Sequence, residues 1–306
     1  MIKEKIISKT DYKLLFSLVA VGLIWGTTFL SIRIAIETIP PWYSTSIRNF
    51  IAAFIVFIIL ISRKELRWIG WKSFFQQAIL ATLMLVFSNG FTTIAEQTLP
   101  SGLTSIICAI NPVMVFLLSI FFKFQKPTLQ GFIGVLIGFY GILFIFKDGL
   151  GDILNPNYKT GVVFLIIAIT SWALGTIYVK KFGQNTNSIS LNIFYQFMIA
   201  GCIQIVLANI FYPDSNFQNW SSDSVIAVIY LSFFGSVLAL FCYQYALKKV
   251  APIQVSILTY VNTIIAVFLG WMIKDEVIKQ EFIVATLLII LGVFIINYKK
   301  KIKVIS

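Results

Sequence analysis

An arginine, Arg48, stands inside a long apolar segment of this sequence. It lies about five residues inside a predicted helix over residues 43–62, which puts it roughly 7 Å below the nearer membrane surface at 1.5 Å per residue. A charged side chain at that depth is costly and needs a reason. Its aliphatic stem could extend back to the headgroups or to Glu37. Alternatively, its planar guanidinium could bind a carboxylate or phosphate group of a substrate.

Two tryptophans, Trp25 and Trp172, fall near the middle of predicted spans. Tryptophan in membrane proteins is enriched at the interfaces, so this central position is unusual. Packing in a protein core would explain it. A matched aromatic pair facing a central cavity would also explain it, and such a pair suits an amphipathic substrate.

Further polar side chains are distributed through the apolar spans. Buried amides and phenols need hydrogen-bond partners in lipid, so each must face another helix or a wet cavity. Together with Trp25, Arg48 and Trp172 they form the predicted substrate-binding set: Asn49, Asn89, Asn111, Tyr178, Tyr195, Gln196, Tyr243, Gln244, Tyr260 and Asn262.

Several kinds of chemistry are missing from the sequence. It contains no histidine, which removes His-based nucleophilic, metal and acid–base sites. It has no Walker motif, and we predict no catalytic residues, no metal and no cofactor. No Asp or Glu falls in the middle of a predicted span, so a carrier driven by substrate gradients, a uniporter or exchanger, is expected rather than a proton-coupled one. Glu96, at the end of the third span, is the residue that could overturn this expectation.

The elements that position these side chains are predicted transmembrane helices. The chain has 306 residues, of which 58% are hydrophobic and 12% charged, and its mean hydropathy is +0.90. A helix needs about 20 apolar residues to cross the hydrocarbon core of a bilayer. Ten such spans are predicted, at residues 13–36, 43–62, 74–95, 101–122, 129–147, 160–180, 190–212, 224–247, 252–273 and 281–298. The predicted fold class is therefore an all-α integral membrane protein.

The basic residues flank these spans and set their orientation. Eighteen of them lie at the two termini and in the loops after spans 2, 4, 6 and 8. Because basic residues favour the cytoplasmic side, both termini are predicted to be cytoplasmic in a multi-pass protein of the cell (inner) membrane. The formal net charge of +12 is thus explained by topology and by contact with lipid headgroups, and no nucleic-acid partner is expected.

The second half of the chain repeats the first. An offset of 147 residues aligns Trp25 with Trp172 and Arg33 with Lys180, and an offset of 151 aligns Asn111 with Asn262. Five spans per repeat is an odd number, so the second copy must cross the membrane in the opposite sense. We predict two inverted five-helix repeats, at residues 1–152 and 153–306, with the substrate between them near the midplane.

These motifs resemble the EamA-type transporters of the drug/metabolite transporter superfamily. The resemblance rests on Trp25-Gly26, Arg33, Pro40-Pro41, Arg48-Asn49-Phe50, Ala52-Ala53, Asn111-Pro112, Gly131, Gly138, Gly141 and Lys274-Asp275-Glu276. Gln125 stands where the first repeat of that family usually has an acidic residue. The resemblance implies a ten-helix carrier for small metabolites, often amino acids and often moved outward.

The predicted function is a secondary transporter of small metabolites that works by alternating access. Spans 1–4 would rock against spans 6–9, and spans 5 and 10 would form a scaffold. A carrier for phosphorylated or nucleotide-linked sugars is the main alternative, and it would show more basic residues inside the spans. A membrane-embedded enzyme or a receptor is the alternative from another class.

Two local features predict helix geometry. Pro112 should break or kink the fourth span, whereas Pro100 and Pro252 should begin helices. Gly131, Gly134, Gly138 and Gly141 recur on one face of the fifth span. Such a face allows close helix packing, either inside the chain or as a contact in a homodimer.

Overall fold

The structure is a computed structural model that describes residues 11–99, 101–124, 126–145, 156–182, 187–274 and 281–297. These residues contain no β-strand. Their ten helical elements are α1 (Tyr12–Ala35), α2 (Pro41–Ser62), α3 (Gly70–Ala95), α4 (segments Ser101–Cys108 and Asn111–Phe121), α5 (Leu129–Ile145), α6 (Lys159–Phe182), α7 (Ile189–Phe211), α8 (Ser222–Lys249), α9 (segments Pro252–Ser256 and Leu258–Lys274) and α10 (Glu281–Asn297).

The ten elements coincide with the ten predicted spans to within a few residues. Among the described residues, α1, α2, α3, α6, α7 and α8 are each long and apolar enough to cross a membrane. Local chemistry explains where several of them begin. The side chains of Asp11, Ser188 and Ser221 accept hydrogen bonds from the first turns of α1, α7 and α8, and Pro41 is the first residue of α2.

Two proline-dependent predictions are confirmed. Helix α4 is broken at Ala109 and Ile110, immediately before Asn111-Pro112, because proline cannot continue the hydrogen-bond ladder of the preceding turn. Pro252 begins the first segment of α9. Pro100, Gln125, Asp275 and Glu276 lie outside the described residues, as does the predicted boundary between the repeats at 152/153.

Helices α3 and α8 each contain a π-helical section that the sequence did not predict. The sections are Ala81–Gly90 in α3 and Leu231–Leu238 in α8, and the 151-residue offset relates them. A π-helical turn has wider hydrogen bonding than an α-helical turn and often occurs at functional sites. The two sections therefore mark matching positions in the two halves.

The helix contacts have the pairwise symmetry expected of two inverted repeats. Helix α1 packs on α8 and α9, and the corresponding helix α6 packs on α3 and α4. Helices α2 and α7 pack on each other, as do α5 and α10. The α5–α10 pair makes few contacts with the helices around the centre, which agrees with the scaffold role expected for it.

The glycine face of α5 is covered within the chain. A Cβ at Gly134 would lie 3.0 Å from the carbonyl oxygen of Gly292 on α10, and one at Gly138 would lie 2.4 Å from the ring of Tyr260 on α9. Gly131 faces Phe116 on α4. Because α4, α9 and α10 occupy this face, a homodimer through it would have to displace them, and the homodimer stays a prediction.

Candidate substrate cavity

A cavity lies at the centre of the helix bundle. Its empty volume, including its open mouth, is about 870 Å³. Eight helices line it, with Trp25, Thr28, Phe29, Ile32, Arg48, Leu85, Ser88, Asn89, Thr92, Cys108, Asn111, Ile169, Trp172, Phe197, Gly235, Ser236, Leu240, Thr259 and Asn262. The two π-helical sections contribute Leu85, Ser88, Asn89, Gly235 and Ser236 to this wall.

Arg48 is buried, with 6% of its surface exposed, and it points into the protein. Its Nε donates a hydrogen bond to Ser236 Oγ on α8 at 2.7 Å, and its guanidinium lies against Gly235. No acidic side chain among the described residues forms an ion pair with it. The side chain lines the cavity and does not pair with Glu37, so its charge has no counter-ion among the described residues.

Three aromatic rings close one end of the cavity. The ring centroids of Trp25, Trp172 and Tyr243 are 5.1–5.2 Å apart in every pair. Trp25 Nε1 donates to the carbonyl oxygen of Gly235 at 3.2 Å, and the Tyr243 hydroxyl is 2.5 Å from Thr176 Oγ1. Both indoles line the cavity, whereas Tyr243 is buried beneath them. We call these three rings the floor of the cavity.

Three asparagines line the wall above this floor. Asn111, at the break in α4, is buried, and its side-chain oxygen has no hydrogen-bond partner within the described residues. It is therefore an unsatisfied acceptor at the cavity wall. The amide nitrogen of Asn262 can donate to the carbonyl oxygens of Leu258 at 2.9 Å and Gly22 at 2.8 Å, which ties α9 to α1. Asn89 is half-buried on α3.

Three predicted amides lie away from the cavity, in contacts between helices. Asn49 donates to Gln204 on α7 at 2.7 Å. Gln244 donates to Gln196 at 2.8 Å, and Gln196 donates to Gln77 on α3 at 2.6 Å. This chain of buried amides joins α8, α7 and α3. The polar groups of these residues therefore form hydrogen bonds between helices.

Three predicted tyrosines also lie outside the cavity lining. Tyr260 is fully buried beside α5 and donates to the carbonyl oxygen of Val135 at 3.0 Å. Tyr195 donates to the carbonyl oxygen of Arg67 at 3.1 Å. Tyr178 packs on Phe182, with centroids 4.6 Å apart. Together with Tyr243 and the three amides above, seven of the thirteen predicted residues do not line the cavity. The six that do are Trp25, Arg48, Asn89, Asn111, Trp172 and Asn262.

The sequence interpretation missed several smaller lining residues. On α1, Thr28, Phe29 and Ile32 follow Trp25 at helical spacing and share its face. That spacing was a usable signal. Ser236 and Thr259 carried no comparable signal, because Ser and Thr are common in membrane helices.

Two basic side chains bind backbone carbonyls at opposite ends of the bundle. Arg33 Nη1, at the end of α1, donates to the carbonyl oxygen of Glu96 after α3. Lys180 Nζ, at the end of α6, donates to the carbonyl oxygens of Leu247 at 2.8 Å and Val250 at 2.9 Å. The two contacts are equivalent in the two repeats, because the 147-residue offset relates Arg33 to Lys180 and the 151-residue offset relates Glu96 to Leu247. We name these two contacts the outer latch and the inner latch, following the predicted orientation.

No group of three His, Cys, Asp or Glu side chains among the described residues could hold a metal ion. What the site offers is an unpaired cation, a free acceptor and an aromatic floor inside a helical membrane bundle. Two inverted repeats around a central cavity are the architecture of secondary transporters. The fold and the cavity therefore define the chain as a multi-pass membrane transporter.

Comparison with known proteins assigns the family. The model of the EamA-like transporter family matches residues 13–147 and 159–298, so the chain belongs to that family.

Individual relatives are similar along almost the whole chain. The inner membrane transporter YedA of Escherichia coli K12, described as uncharacterized, is 27% identical over 93% of this chain and 90% of its own length. An uncharacterized transporter in the trpA 3' region of Buchnera aphidicola subsp. Schlechtendalia chinensis is 34% identical over 86% of this chain and 85% of its own. A solved crystal structure with 15% identity covers 94% of this chain and 97% of its own with a TM-score of 0.77, which supports the fold.

Proposed function

We propose that this transporter moves small carboxylate-bearing metabolites, amino acids or related amphipathic solutes, across the cytoplasmic membrane. The observation that carries the proposal is Arg48, a buried guanidinium at the cavity wall with one hydrogen bond and no described counter-ion. Its planar fork matches a carboxylate. A phosphate dianion would call for further cations, and Arg48 is the one basic residue among the described lining residues.

The remaining wall fits the rest of such a molecule. The free oxygen of Asn111 could accept a hydrogen bond from the ammonium group of an amino acid. The indoles of Trp25 and Trp172 could contact an apolar side chain. A zwitterion with an apolar end would thus meet a cation, an acceptor and an aromatic surface in one cavity.

Alternating access is the proposed mechanism, and the two latches support it. With both termini cytoplasmic, Arg33 would close the outer side and Lys180 the inner side. Release of one latch at a time would expose the cavity to one side at a time. The residues 1–152 and 153–306 would be the two repeats that exchange these roles, and export is the proposed direction.

Counterflow in proteoliposomes tests the function. Vesicles containing the full chain are loaded in turn with each of the twenty proteinogenic amino acids and diluted into a trace of the same labelled compound. Accumulation of label above that in protein-free vesicles, for at least one apolar amino acid, is expected. At a trace concentration of label it should fall strongly in Arg48→Gln and be kept in Arg63→Gln, which changes an exposed arginine after the same helix. Equal accumulation with and without protein for every compound would reject the substrate class.

A further inference from the structure

Glu96 is a buried carboxyl group that the proposed substrate site does not use. Its side chain has no exposed surface, and Glu96 and Arg48 are the buried charged residues in the part of the chain that the structure describes. Neither carboxyl oxygen has a hydrogen-bond partner among those residues. An ionised carboxylate without partners is very costly to bury, so such a group holds a proton instead.

Its position connects this proton to the cavity. Glu96 follows α3, one turn beyond Thr92, which lines the cavity, and its backbone N–H donates to the Thr92 carbonyl oxygen at 3.1 Å. The carboxyl group therefore lies just beyond the predicted outer end of the cavity.

The outer latch holds Glu96 by its main chain and not by its carboxyl group. Arg33 donates to the Glu96 carbonyl oxygen, although the same guanidinium is the cation that most favours ionisation of the Glu96 side chain. Burial nevertheless raises the pKa of this carboxyl, which lies after the last residue of α3, well above its usual range.

Other titratable groups around Glu96 are few. Tyr158 and Lys159 stand at the start of α6, which packs on the last turn of α3. Tyr212, after α7, interacts with the neighbouring Gln97. Helix α2 presents Trp42 to α3, and Glu37, after α1, is exposed.

We propose that Glu96 is a proton-binding site of the closed outer latch, with Arg33 as its counter-ion when the proton leaves. Opening of the outer side would hydrate the carboxyl group, release its proton and let Arg33 pair with the carboxylate. A carrier built this way exchanges a proton whenever its outer side opens and closes. That link to transport rests on the proposed function, whereas the proton site does not. Because this proton is released and taken up on the same side, the expectation of a substrate-driven carrier stays a prediction.

Infrared spectroscopy tests the site without any substrate. The full chain in micelles of dodecyl maltoside, a detergent without carbonyl groups, is titrated with alkali while the C=O stretching band of protonated carboxylic acids is recorded. At pH 7 the wild type and Glu37→Gln should show the band, and Glu96→Gln should lack it. Glu96→Asp, which keeps an acid, should retain a band that titrates. Equal bands in the wild type and Glu96→Gln at pH 7 would overturn the proposal.

The counter-ion is tested in the same titration. Because the Arg33 cation favours the ionised carboxylate, Arg33→Gln should move the loss of the band to higher pH by about one unit or more. Arg63→Gln should leave the midpoint unchanged. An unchanged midpoint in Arg33→Gln would reject Arg33 as the counter-ion. Failure of the amino-acid counterflow assay would not alter these spectra, so the two proposals fail separately.

Discussion

Replacing Arg48 with glutamine measures what the buried cation contributes to substrate binding. The guanidinium has one hydrogen bond, to Ser236 at 2.7 Å, and its remaining donors are available to a ligand. A hydrogen bond to a charged group contributes about 1.5–3 kcal/mol, and about 1.4 kcal/mol corresponds to a tenfold change in affinity. We therefore expect Arg48→Gln to raise the half-saturation concentration for a carboxylate substrate by roughly 10- to 100-fold.

The assay is initial-rate counterflow of the amino acid that the wild type carries best, with Arg63→Gln as the matched control. Thermal unfolding of the substrate-free protein is measured on the same samples. Because a buried charge without a counter-ion costs desolvation free energy, its removal should leave the unfolding temperature unchanged or raise it.

Two results would refute this reasoning. An unchanged half-saturation concentration in Arg48→Gln would show that Arg48 does not bind the carboxylate. A clear fall in the unfolding temperature together with lost transport would mean that the bond from Arg48 to Ser236 mainly holds α2 against α8.

Three further predictions concern the floor, the inner latch and the scaffold. Trp25→Phe loses the indole bond to Gly235 and should lower counterflow several-fold without changing expression; unaltered counterflow would exclude a role for that bond. Lys180→Gln loses two hydrogen bonds of the inner latch. It should raise the labelling of Cys108, which lines the cavity, by a thiol reagent applied from the cytoplasmic side; unchanged labelling would reject the latch. Gly292→Ala places a Cβ 2.7 Å from a backbone oxygen of α5 and should lower stability by about 1–3 kcal/mol in denaturant unfolding. Gly22→Ala, whose Cβ would have an ordinary contact at 3.5 Å, is its control, and equal stability of the two variants would contradict the packing.

The spans were predictable because a bilayer constrains helices so strongly. A run such as residues 43–62 has to be helical, since lipid cannot satisfy backbone hydrogen bonds. The break at Asn111-Pro112 was predictable for a similarly local reason. The inverted repeat was visible because side chains such as Trp25 and Trp172 are rare enough for their alignment to be informative.

The cavity residues were less predictable than the spans. A buried amide can either form hydrogen bonds with another helix or face the cavity, and the sequence does not distinguish the two. Gln196 and Asn111 look alike in the sequence. Gln196 bonds to Gln77, which is 119 positions away along the chain, and no local pattern indicates that partner. Asn111, at the break in α4, lines the cavity, and its oxygen has no partner among the described residues.

The π-helical sections add a second reason. A π-helical turn alters which residues share a face, so a strict 3.6-residue period misplaces side chains beyond Ala81 on α3 and beyond Leu231 on α8. Along α1, which is regular, the period from Trp25 through Ile32 does identify the cavity face.

The central claim is that Arg48 recognises a carboxylate in a transport cavity. The most direct measurement compares counterflow of a labelled apolar amino acid with that of its carboxamide, which has the same side chain and no carboxylate. The wild type should carry the acid and discriminate against the amide by roughly tenfold or more, and Arg48→Gln should lose this discrimination. Equal transport of acid and amide by the wild type would contradict the account.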